Sequence, residues 1–106
     1  MILTDAYVAE SLDQLRRDLR ATGRGQYTAF VAERAAEVAT FANEPRHFVE
    51  KVVEDVQQRL QDEFIDITWP ACPRHSNHPL NYIEGAWRCP RDGAVVAPLG
   101  SLKSSA

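Results

Sequence analysis

Five residues in the back third of the chain carry metal-ligand chemistry: Cys72, His75, His78, Cys89 and Asp92. They stand in two units of one form, Cys72-Pro73-Arg74-His75 and Cys89-Pro90-Arg91-Asp92, with Gly93 after the second. Four of the chain's five cysteines and histidines fall between positions 72 and 89. A tight turn that begins at a cysteine lets a second ligand, with two residues between them, meet the same ion, and a following glycine lets the turn close. Zinc takes four such ligands at tetrahedral angles. Sulfur and imidazole suit it, so the spacing favours Cys72, His75, His78 and Cys89. A second set exchanges His78 for Asp92 and keeps the symmetry of the two units. A third uses three ligands and leaves a position open for water.

Residues 70–100 resemble the zinc ribbon and zinc knuckle modules, whose usual pattern has two Cys-Pro-x-Cys-Gly knuckles. In this chain His75 and Asp92 stand where that family usually has cysteine. The run His78-Pro79-Leu80, then Trp87 and Cys89, then Ala97-Pro98-Leu99-Gly100, is also similar to short C-terminal modules of small bacterial proteins. The resemblance implies a small β module built around a structural Zn2+ and brings no activity with it.

Other uses of the same residues compete with this reading. Free cysteines are often small buried hydrophobes, His75 and His78 serve equally as polar loop residues, and Cys72 could pair with Cys89 in an oxidising compartment. The case for metal is energetic as well as chemical. About thirty residues with short strands cannot build a core alone, whereas structural zinc supplies on the order of 10 kcal/mol of apparent folding energy. Trp69, Tyr82 and Trp87 are then expected to pack around the site; an aromatic platform for nucleic-acid bases is the competing role.

Three amphipathic helices precede this segment. Val8, Leu12, Leu15 and Leu19 stack on one face of a helix over residues 4–22, with Thr4 as its expected cap and Gly23 and Gly25 ending it. Residues 26–42 carry a second stripe through Tyr27, Phe30, Val31, Ala35, Val38 and Phe41. Asn43 is the expected cap and Pro45 the first-turn residue of a third helix over 44–64, with Val49, Val53, Val56, Leu60 and Phe64 on its apolar side. The acidic residues of the first and third helices read as solvated faces. Beyond them Ile65, Ile67 and Trp69 alternate with polar residues, a strand pattern that Pro70 stops. Glu84-Gly85 marks a hairpin turn between 80–83 and 86–89, and a last short strand runs over 94–97.

The expected fold class is therefore α+β: a helical region over 1–64, a zinc-ribbon-like β module over 65–100 and a polar tail over 101–106. Short connections imply antiparallel helices. Residues 1–70 hold thirteen acids against eight bases, and residues 71–106 two acids against four bases, for a net charge of −3. Such a balance disfavours a nonspecific nucleic-acid coat, which needs clustered cations. Arg74, Arg88 and Arg91 are the residues that would contact nucleic acid if the back module did so. The basic group Arg16, Arg17, Arg20 and Arg24 reads as a complement to the helix dipole.

No nucleophile elbow, phosphate loop or HExxH motif is present, so catalysis has no candidate beyond an open zinc position activated by Asp92 or Glu84. No apolar run approaches a membrane span, and the first residues lack the pattern of a signal peptide, which places the protein in the cytoplasm. The function expected from all this is a small zinc-binding adaptor with a protein partner or a second copy of itself. A nucleic-acid-associated regulator is the first alternative and a small metallohydrolase the second.

Overall fold

The structure is a computed structural model, and it describes residues 4–63, 67–75 and 78–103. Three helices, α1 (Ala6–Ala21), α2 (Ala29–Val38) and α3 (Pro45–Glu63), precede an antiparallel sheet of β1 (Asn81–Ile83), β2 (Ala86–Arg88) and β3 (Val95–Pro98) in the order β1-β2-β3. The class is α+β, as the change of hydrophobic period requires.

The stripes read from the sequence are the faces that are buried. Val8, Leu12, Leu15 and Leu19 of α1 meet Val31, Ala35 and Val38 of α2 and the valine-rich face of α3. Both helix caps differ by one residue from expectation. Asp5, not Thr4, accepts the Tyr7 amide at 2.8 Å. At α3 the Glu44 carboxylate accepts the amides of Arg46 and His47 at 3.1 and 2.8 Å, ahead of Pro45 in the first turn. A longer side chain one position later does the work expected of Asn43. The second helix is also shorter than its stripe. A 3-10 turn over Gly25–Tyr27 leads into it, and Phe41 lies beyond its end on the surface.

The end of α1 closes tightly. Gly23, at φ +78°, donates its amide to the Arg20 carbonyl, and the Arg24 amide donates to the Leu19 carbonyl at 2.7 Å. This is the paired 6→1 and 5→2 bonding of a Schellman motif, which only a residue at ease with positive φ completes cheaply.

Of the strand expected over 65–69, residues 65 and 66 lie outside the described residues, as does Phe64 of the expected third helix. Ile67 to Trp69 are not in a strand. The Trp69 carbonyl is taken by the side-chain amide of Gln57 on α3, which also donates to the Leu80 carbonyl. The hairpin at Glu84-Gly85 forms as expected. Both turn residues have positive φ, 51° and 81°, the two-residue connection whose twist matches the flanking strands.

The core is continuous from helices to sheet. Trp69, Cys72, Leu80, Tyr82, Trp87, Cys89 and Leu99 belong to the same buried cluster as the helical valines and leucines. Trp87 stands edge-on to both Trp69 and Tyr82, with ring centroids 5.4 and 5.6 Å apart. Ser101 to Lys103 run against α1, where the Leu102 amide meets Asp18. Among the described residues, no helix is long and apolar enough to cross a membrane.

Candidate metal centre

Two loops carry the ligands, each fixed by its own backbone bonds. The first closes between Ala71 and Pro79, which form a bridge. Leu80 donates to the Pro70 carbonyl and Cys72 to the His78 carbonyl, while His75 donates back to the Cys72 carbonyl. The second joins β2 to β3: Cys89 donates to the Ala94 carbonyl, Gly93 donates to the Cys89 carbonyl, and Gly93 sits at φ +75°. Each cysteine therefore opens a tight turn whose next residues fold back over its side chain.

The two turns face one another. His75 Nδ1 lies 3.7 Å from Cys72 Sγ and 3.5 Å from Cys89 Sγ, and the ligand atoms of these three residues all lie within 4.8 Å of one another. Both cysteines are buried and His75 is half-buried. Two thiols and an imidazole at that separation can hold a metal ion, since ligands about 2.0–2.3 Å from a shared zinc stand about 3.3–3.8 Å apart at tetrahedral angles.

The loop electrostatics favour the thiolate. Burial is the largest single influence on Cys72 and pushes its pKa up, but it is outweighed. The backbone N–H groups of Arg74 and His75, the Cys89 thiol and the Arg74 charge together hold the Cys72 pKa below the ordinary thiol value of 9.0. Thiolate is the form that ligates metal.

His78 is exposed and does not join this group. It contributes its backbone, accepting from Cys72 and donating to His75. Asp92 also lies outside the group but is held against it. Its carboxylate accepts the Ala94 amide at 2.9 Å and pairs with Arg74 at 2.9 Å, which ties the second loop to the first. The Ala94 amide is the main influence holding the Asp92 carboxyl below its ordinary value; the Cys89 thiol and Arg74 add to it, against some desolvation.

The arginines named for nucleic acid are largely committed to the protein itself. Arg74 pairs with Asp92, and Arg88 donates to the Gly93 carbonyl at 3.2 Å, while Arg91 is exposed. Trp69, Tyr82 and Trp87 are buried, so they form packing rather than an open platform for bases. Burial is also the main influence raising the Tyr82 phenol above its ordinary value, with Tyr7 and Glu50 adding to it.

One residue of consequence was hidden by its type. Asp18 of α1 is fully buried, although it was expected on a solvated face. Its carboxylate accepts from Trp87 Nε1 at 2.8 Å, the Gly100 amide at 2.7 Å and the Leu102 amide at 3.0 Å. Four residues on, Thr22 Oγ1 accepts from Trp69 Nε1 at 2.8 Å. The signal was present in the helical period: Asp18 falls three residues after Leu15 and seven after Ser11, on the buried stripe.

No protein-family model, curated protein or solved structure matches the chain.

Proposed function

We propose that this chain is a small zinc-binding protein in which the ion ties the loop of Cys72 and His75 to the turn that joins β2 to β3. The observation that carries the reading is the convergence of Cys72, His75 and Cys89, from two separate loops, within 4.8 Å. Bound zinc would crosslink the two loops and screen the buried thiolates. Cys72, His75 and Cys89 would hold it, with His78 or Asp92 completing the set. Asp92 is the better placed of the two, because its carboxylate already lies against the Cys89 thiol, whereas His78 meets the first loop through its backbone.

The reading includes a binding or adaptor role in the cytoplasm. Cys72 and Cys89 are free thiols, the state that a reducing compartment maintains. The exposed side chains of Phe41, Ile83 and Val95 support a protein partner or a second copy of the chain. Metal analysis of the purified protein tests the central statement: about one zinc per chain is expected, and chelation should loosen residues 70–100. Less than about 0.2 zinc per chain, with folding unchanged in chelator, would refute it.

A further inference from the structure

We propose a second site: a groove beside the end of α1 that binds a small amphipathic organic anion, such as a medium-chain carboxylate. The groove has a volume of about 730 Å³, within the usual range for small-molecule sites. Trp69, Pro70, Val96 and Leu102 give it apolar walls, and Arg24 and Lys103 are its two charged residues. Among the described residues no aspartate or glutamate lines it, although acids outnumber bases in the whole chain. An apolar trough with two cations at its edge is complementary to a carboxylate bearing a hydrocarbon body.

The two cations come from distant parts of the sequence, and the fold fixes both backbones. Arg24 is placed by the Schellman closure of α1, through its amide bond to the Leu19 carbonyl. Lys103 follows Leu102, whose amide is held by Asp18 one turn earlier on the same helix. Neither side chain is in an ion pair among the described residues. The fold thus places the backbones from which the two cations extend, and their side chains are left to order on the ligand. Cys72 contributes to the groove wall as well as to the metal centre, so the two sites are neighbours.

The test titrates the purified protein, with the metal it carries, with decanoate below its micelle concentration. Calorimetry gives affinity, and amide NMR shifts report the place of binding. Saturable binding is expected, with shifts gathered at Trp69, Val96 and Leu102. Decanol, which has the same chain and no charge, should bind roughly tenfold more weakly, as should decanoate to the Arg24→Gln/Lys103→Gln variant. Absence of saturable decanoate binding, shifts elsewhere, or equal affinity for decanol would overturn the proposal. So would undiminished binding by the variant. The decanol comparison uses only the wild-type chain, and zinc content is measured separately, so failure here is distinguishable from failure of the metal reading.

Discussion

The indole N–H of Trp87 donates to Asp18 Oδ2 over 2.8 Å, a bond between the middle strand of the sheet and the fourth turn of α1. The same carboxylate receives the amides of Gly100 and Leu102, so one buried side chain gathers three donors. A buried carboxylate without donors would be expelled or neutralised, whereas here it anchors the sheet and the segment after it to the helices. Cys89, a member of the candidate metal group, stands two residues after Trp87, so the buried carboxylate and that group engage the chain close together, on and just after β2.

Replacing Asp18 should therefore destabilise the fold well beyond the loss of one surface charge. Asp18→Ala leaves the Trp87 indole and two backbone amides without their acceptor, at about 2–4 kcal/mol. Asp18→Asn turns one acceptor oxygen into a donor that faces other donors, and should cost a comparable amount. Urea unfolding followed by tryptophan fluorescence measures both. A loss below about 0.5 kcal/mol, the scale of an ordinary surface substitution, would show that the network is not holding the sheet.

Much of this architecture was legible because periodicity reports which face of a helix is apolar. The stripe of Val49, Val53, Val56 and Leu60 is buried as read. So was the chemistry of Cys72, His75 and Cys89, since residue type and spacing alone constrain what two facing turns can hold. Asp18 lies on the buried stripe by its period but not by its type, because a carboxylate on a helix is solvated unless something docks over it, and what docks comes from the far end of the chain. The strand pattern at Ile67 and Trp69 misled for a related reason. Alternation records burial, and Trp69 is buried by α1 and β2 without its backbone entering a ladder. The groove was hidden as well, because its two cations come to one groove only through the closure of α1 and the bond that the Leu102 amide donates to Asp18.

Gly100 sits where α1 passes close to the chain. A Cβ at this position would lie 2.9 Å from both Cβ and Cγ of Gln14, and its φ is +91°. Gly100→Ala should cost about 1–3 kcal/mol from strain and overlap together. Gly85→Ala, at φ +81° with open space around it, isolates the conformational part. The expected order of denaturation midpoints is wild type, then Gly85→Ala, then Gly100→Ala. Shortening Gln14 to alanine should recover little, because the Cβ contact remains.

Glu44 supplies a pH dependence of known sign. The His47 and Arg46 amides, the former the stronger influence, hold its pKa below the ordinary 4.5. A carboxylate whose pKa falls on folding stabilises the native state above its unfolded pKa, and that contribution disappears as pH drops through the lower folded value. The gap in thermal midpoint between wild type and Glu44→Ala should therefore be constant from neutral pH down to about 5 and then narrow on further acidification. A gap that widened below that pH would contradict the capping role.

The ligand set yields the sharpest separation of variants. Cys72→Ser, His75→Ala and Cys89→Ser each remove a member of the converged group, so each should lower zinc affinity by roughly 100-fold or more. His78→Ala and Asp92→Ala distinguish the two completions. If Asp92 ligates, Asp92→Ala weakens zinc strongly and His78→Ala leaves it nearly unchanged, because the bonds His78 makes to Cys72 and His75 are through its backbone. The reverse result would place the fourth ligand on the first loop. Arg74→Gln separates ligation from loop bracing: it breaks the 2.9 Å pair with Asp92 without removing a ligand. A ligating Asp92, relieved of its competing partner, should then bind zinc at least as well as in wild type. A purely bracing Asp92 should lose affinity in Arg74→Gln and Asp92→Ala alike. Competition with a chromophoric chelator reads all six variants on one scale.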